Sequence, residues 1–97
     1  MSTDNQAEQI EAGNQAEELL RTKAFGTTID ELVQATFNYF VNSKAEDTEG
    51  RERAYNHYQA INDIVATLQQ RVQVRDNINE ADSQDEDNDN NEANIKQ

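Results

Sequence analysis

Apolar residues recur at helical spacing in three stretches of this 97-residue chain. From Asn14, the run NQAEELLRTKAF places Ala16, Leu19, Leu20 and Ala24 roughly on one face among good helix formers, which predicts a helix over about 14–25. Gly26 stands where such a helix would stop. Arg21 and Lys23 precede it in the last turn, where cations suit the negative end of the helix dipole. The pattern restarts in TTIDELVQATFNYFV. Thr28 and Glu31 have the spacing of a capping box, and Ile29, Leu32, Val33, Thr36, Phe37 and Phe40 follow at three- and four-residue steps. This predicts a second helix over about 28–42. The β-branched and aromatic run 36–41 also suits a strand, but no Gly, Pro or hairpin signal lies nearby, so helix is preferred.

The stretch NSKAEDTEGRER is the second break. Ser43 and Glu46 have capping-box spacing, and Asp47 or Thr48 is an alternative N-cap. Glu46, Asp47 and Glu49 would sit at the positive end of the next helix, and Gly50 weakens its first turn without forbidding it. Beyond it, Ala54, Tyr58, Ile61, Val65, Leu68 and Val72 alternate four- and three-residue steps, with Tyr55 and Ile64 widening the stripe. That heptad pattern predicts a third helix over about 48–74, roughly 40 Å long at 1.5 Å per residue. Residues 1–13 offer only Ala7 and Ile10 to a core, so that segment is expected to be flexible or frayed. Past Val74, Ile78 and Ile95 are isolated, and low hydrophobicity with high charge predicts a disordered acidic tail over 76–97. The expectation is an all-α protein: a helical domain over 14–75, built as a small bundle or helical hairpin of three helices, with disordered acidic ends.

Composition narrows the function classes. Hydrophobic residues make up 34%, there is no Pro, and only three residues are Gly. The absence of Cys excludes a disulfide scaffold, thiolate metal sites and a thiol nucleophile. No apolar run has the length to span a bilayer, and MSTDNQAEQI has neither a basic nor an apolar leader region, so a soluble intracellular protein is expected. About 60 ordered residues bury only ~60% of their unfolded surface, which is marginal for a lone domain. A monomeric bundle and a homo-oligomer are equally open. The net charge is −12, of which residues 1–14 carry −3, residues 15–75 carry −2 and residues 76–97 carry −7. The predicted helical part is thus nearly neutral, and the acidity sits at the ends.

The candidate chemistry is sparse. Asp85, Asp87 and Asp89 suggest a calcium loop, but the sixth and twelfth positions hold Asn90 and Lys96 instead of Gly and a bidentate Glu. His57 is the one histidine, beside Tyr58 and off the heptad stripe; alone and without Cys it cannot assemble a zinc site. Neither a metal, a cofactor nor a catalytic residue is expected. Phe37, Tyr39, Phe40, Tyr55 and Tyr58 concentrate where helices two and three meet, which reads first as a bundle core. Tyr39 lies off the main stripe and suits an exposed contact. Arg51, Arg53, Arg71 and Arg75 flank helix three, too few and too close to acids for a nucleic-acid footprint. The acids themselves raise the opposite idea, a mimic of DNA, which requires carboxylates on a rigid surface.

The segments AEELLRTKAF and EDTEGRERAYNHYQAINDIVATLQQRV resemble a group of small, mostly uncharacterised helical proteins of tailed bacteriophages, encoded in the virion-assembly region. The resemblance covers about 60 residues. It rests on Ala16, Leu19, Leu20 and Phe25, on the acidic stretch ending in Gly50–Arg51–Glu52–Arg53, and on the long helix with Ala60, Ile64 and Leu68. Trp often stands in that group where this chain has Tyr55, and the acidic tail here departs from the pattern. The resemblance implies a phage origin, location in the virion or host cytoplasm, and a helical accessory role near capsid, portal or packaging proteins. The resulting expectation is a non-enzymatic protein–protein interaction module, with Tyr39, Arg51, Arg53, Tyr55, His57 and Tyr58 as contact residues. Its partner would be a virion or packaging protein, with no direct contact to nucleic acid or membrane. The alternative is an acidic, DNA-mimicking inhibitor of a basic DNA-binding enzyme or nuclease.

Overall fold

A computed structural model describes residues 2–96, and the side-chain surroundings of residues 5–83. The protein is all-α, with α1 (Ser2–Arg21), α2 (Lys23–Asn42) and α3 (Thr48–Lys96), and no strand among the described residues. No helix of the described residues is long and apolar enough to cross a membrane.

The first break falls at Thr22, not at Gly26. Thr22 takes an extended conformation (φ −69°, ψ 124°), and its N–H and hydroxyl donate to the carbonyls of Leu19 (3.1 Å) and Glu18 (3.0 Å), closing α1. Its own carbonyl accepts from Gly26 N–H at 3.1 Å and opens α2. Gly26 is therefore an interior residue of α2, and no glycine has a positive φ. The capping box at Thr28 and Glu31 does not form, because the Thr28 hydroxyl donates to Ala24 O at 2.8 Å within a helix already under way. A one-residue interruption lets α1 and α2 follow one another along α3, where a turn after Gly26 would have folded them back.

The second break uses different residues on its two sides. The Ser43 hydroxyl donates to Phe40 O at 2.8 Å and ends α2, so it is not available to start α3. Asp47 does that instead: its Oδ1 accepts from Gly50 N–H at 3.1 Å and its carbonyl from Arg51 N–H at 3.1 Å. Its Oδ2 accepts from the Tyr39 hydroxyl at 2.6 Å, which ties the end of α2 to the start of α3. Gly50 is buried in this corner. A Cβ there would run into the Tyr39 hydroxyl and the Asp47 carboxylate, so a larger residue would have to displace the two side chains that join this corner.

Both shorter helices run antiparallel to α3. Tyr39 meets Asp47 near the start of α3, Leu32 and Ile61 line a common groove midway, and Gly13 meets Arg71 and Arg75 further along. The result is an elongated hairpin of 76 × 26 × 24 Å with a kinked first arm. At Gly13 the α1 and α3 backbones come so close that an added Cβ would lie 2.8 Å from Arg71 O and closer still to Arg75 Cβ. Arg75 closes the contact: its guanidinium donates to Asn14 Oδ1 (3.0 Å), to both Glu17 oxygens (3.0 and 3.2 Å) and to Asp76 (2.8 Å). The Arg75 hydrogen bond holds the Glu17 carboxyl below its ordinary pKa, helped by the charges of Arg21 and Arg75 against partial burial.

These contacts move the outer limits of the helical part. The segment expected to be flexible or frayed, 1–13, lies in α1 from Ser2, and α3 continues beyond 74. Gly13 is buried, and Ile10 and Ile78 are half-buried, so these isolated residues flank a helix–helix contact that periodicity within either segment does not reveal. The expected disordered tail 76–97 continues α3 as helix to Lys96, and its side chains are described through Ser83. Its remainder, with the Asp85–Asp87–Asp89 run, falls outside the residues whose side chains are described.

The apolar seam is narrow. Ala16, Ala54, Ile61 and Leu68 are the buried apolar residues among those described. The last three are every second member of the heptad stripe, seven residues apart. The intervening members are more open: Val65 and Val72 are half-buried and Tyr58 is exposed. A helix whose a and d positions are both covered needs partners over both. In this hairpin α1 and α2 take turns over one line of α3, and the other line is covered only in part, with Tyr58 left open.

Candidate interaction site

The first turns of α3 and the outer edge of α2 together form an open groove of about 780 Å³. From α2 come Asp30, Val33, Gln34, Thr36, Phe37 and Phe40; from α3 come Tyr55 and Tyr58. Helical spacing puts them there. Val33, Phe37 and Phe40 step along one face of α2, and Tyr55 and Tyr58 are one turn apart on α3. These aromatics do not form the bundle core that the sequence suggests. Phe37 is 60%, Tyr55 51% and Tyr58 40% exposed, and α2 buries no residue fully. A two-layer hairpin is too thin to cover both flanks of α2. Asp30 is the one charged residue in the lining.

Arg51 closes one end of the groove. Its guanidinium lies over the Phe40 ring, 5.9 Å from the centroid, and it shares a small hollow with Phe40, Thr48, Glu52 and Tyr55. The Tyr55 hydroxyl accepts from Gln59 Nε2 at 2.6 Å, which fixes the polar end of the ring.

The six expected contact residues do not form one patch. Tyr55 and Tyr58 line the large groove, with Arg51 at its end. Tyr39, Arg53 and His57 line a smaller groove of about 280 Å³ on the opposite flank of the hairpin, with Leu32, Ala35, Thr36, Gly50, Ala54 and Ile61. Tyr39 is exposed, but it is also anchored by its bond to Asp47. That bond holds the Tyr39 phenol above its ordinary pKa. It also holds the Asp47 carboxyl below its own, where the Gly50 N–H and the charges of Arg53 and Arg51 act in the same direction. This corner is structural first. Phe37 and Phe40, absent from the expected contacts, are central to the large groove; an exposed Phe on a thin hairpin was the signal available for them.

No group of three or more His, Cys, Asp or Glu side chains is arranged to hold a metal ion among the described residues. His57 has hydrophobic and basic neighbours in its groove and no carboxylate among them. Compared with known proteins, the chain matches no family model, no curated protein and no solved structure.

Proposed function

We propose that this protein is a non-enzymatic protein–protein interaction module, and that its working surface is the aromatic groove between α2 and α3. The observation that carries this reading is the exposure of Phe37, Tyr55 and Tyr58 side by side in a groove with one charged lining residue. Adjacent large aromatics on a rigid helical scaffold are the side chains that dominate protein interfaces, because they bury much area at low cost in side-chain entropy. The setting we propose, on the resemblance of Gly50–Arg51–Glu52–Arg53 and the helix after it to phage proteins, is a bacteriophage virion or the infected host cytoplasm, with a virion or packaging protein as partner.

The second reading is the acidic inhibitor of a DNA-binding enzyme. One feature favours it. The antiparallel arrangement brings Glu8 and Glu11 of α1 and Glu80 and Asp82 of α3 to the same end of the hairpin, on helices. Against it, Glu17 and Asp76 in the same region are both paired with Arg75, which offsets one of their two charges.

Affinity capture from infected cells separates the two. The baits are wild type, Phe37→Glu, Tyr58→Glu and a chain ending at residue 83, each washed at low and high salt. The groove reading expects the same proteins with wild type and the shortened chain, retained at high salt and lost with either groove variant. Proteins retained by both groove variants but released by salt would show that the acidic end does the binding.

A further inference from the structure

α2 is the most apolar of the three helices, yet it buries no residue fully. Its roll about its own axis accounts for this. Thr36 lines both the large and the small groove, so it marks the line that α2 turns toward α3. At about 100° per residue, Phe37 then lies about 100° to one side of that line and Tyr39 about 60° to the other. The apolar stripe through Val33, Phe37 and Phe40 is therefore turned off the seam, and Phe37 stands exposed beside Tyr55 and Tyr58. Burial of apolar surface favours turning it back.

One contact opposes that turn. The Tyr39 hydroxyl donates to Asp47 Oδ2 at 2.6 Å, and Asp47 is itself fixed at the start of α3 by the N–H groups of Gly50 and Arg51. Among the described residues, this is the one side-chain hydrogen bond or ion pair that joins α2 to the start of α3 or to α3 itself. The other side-chain bonds of α2 go to its own backbone: Thr28 to Ala24, Thr36 to Val33 and Asn42 to Asn38. Arg51 lies over the Phe40 ring, but its long side chain can follow that ring. At its other end α2 follows a single extended residue, Thr22, which gives it no side-chain cap. Gly50 makes room for the bond, since the Tyr39 hydroxyl occupies the space a Cβ would fill.

We propose that the Tyr39–Asp47 hydrogen bond is a latch that sets the roll of α2, and that its release lets α2 turn Phe37 in against Tyr55 and Tyr58 and close the groove. Tyr39, on one flank, is thus a positioning residue for Phe37 on the other. This rests on the reading of the groove as the working surface and names what keeps that surface open.

Hydroxyl-radical footprinting of the purified full chain, read by mass spectrometry, tests the latch. Tyr39→Phe deletes the hydroxyl. Gly50→Ala keeps Tyr39 and displaces its hydroxyl with a methyl group. Phe37, Tyr55 and Tyr58 should oxidise severalfold more slowly in both variants than in wild type, with helicity by circular dichroism unchanged. A bond that only braces the corner would leave these rates as they are or raise them by loosening the hairpin, and either result overturns the latch. If one variant loses helicity, the other decides; loss of helicity in both overturns the proposal, because a latch is dispensable to the helices themselves. Capture from infected cells separates this inference from the reading it rests on. Unchanged oxidation in both variants, with partners lost by Phe37→Glu, removes the latch and leaves the groove reading standing. Slower oxidation in both, with the same partners still captured, keeps the latch and removes the groove as the working surface.

Discussion

Gly13 and Gly26 are both helical, and replacing each by alanine should have opposite effects. Gly26 lies inside α2 with nothing within 4 Å of where a Cβ would go, so alanine gains helix propensity of about 1 kcal/mol. At Gly13 the same gain is opposed by crowding. The new Cβ would sit 2.8 Å from Arg71 O and nearer still to Arg75 Cβ, so α1 must move more than 0.6 Å from α3 to reach an ordinary 3.4 Å contact. The obstacles are backbone and a Cβ, which no rotamer change can move aside. Overpacking of this kind costs ~1–3 kcal/mol, so Gly13→Ala should be destabilised by up to about 2 kcal/mol net. Thermal melts followed by circular dichroism at one fixed protein concentration should show Gly26→Ala up by about 5 °C and Gly13→Ala down, by up to about 15 °C. The reasoning is refuted if Gly26→Ala melts lower than wild type. That would mean Gly26 is a left-handed helix stop, where alanine costs about 1–2 kcal/mol, and that α1 and α2 divide there and not at Thr22.

Other substitutions probe the seam, the corner and the ends. Leu68→Ala should cost about 2–3 kcal/mol in urea unfolding, the low end for a buried leucine because the seam is narrow; a change under 0.5 kcal/mol would mean α1 does not cover that position. The Asp47 carboxyl titrates below its unfolded value, so its contribution is fully present above about pH 4 and is lost as pH falls through the lower folded value. Asp47→Asn should therefore flatten the acid limb of a stability–pH profile, and an unchanged limb would argue against the cap. Tyr39 shifts upward, so its contribution is present below about pH 10 and fades as pH rises through the higher folded value; Tyr39→Phe should remove that alkaline loss. A chain ending at residue 75 should melt lower than one ending at 83, because the shorter one loses half-buried Ile78 and Asp76, the partner of Arg75. Equal melting would restore 75 as the end of the folded part.

The helices were legible where periodicity is local. Thr28 to Asn42 and Ala54 to Val72 carry their apolar spacing within one segment, and both are helix. What sequence patterning missed depends on contacts between segments. Gly13 reads as a helix weakener and Arg75 as a C-terminal cation, and only their juxtaposition across two helices makes residues 5–13 and 76–83 part of the packed structure. Thr22 broke the helix where Gly26 was expected to, because a threonine bonded back to the preceding turn imitates the signal that glycine usually gives. Asp47 was legible only as one of several capping residues, since the choice among them rests on Tyr39 arriving from α2. The candidate site was legible in composition but not in arrangement. The aromatic concentration near the α2–α3 junction was visible, while its division into an anchored Tyr39 and an open Phe37–Tyr55–Tyr58 groove follows from a hairpin only two helices thick.

The central claim is that Phe37, Tyr55 and Tyr58 are open on the single chain and covered when the protein works. Hydroxyl-radical footprinting read by mass spectrometry measures this directly, with Tyr39 on the opposite flank as the internal control. The protein is labelled once in dilute buffer and once in extract of the cells that make it. The account predicts fast oxidation of all four residues in dilute buffer, then severalfold protection of Phe37, Tyr55 and Tyr58 in extract with Tyr39 unchanged. Protection confined to Tyr39, or rates at the three groove aromatics that do not differ between the two conditions, would contradict it.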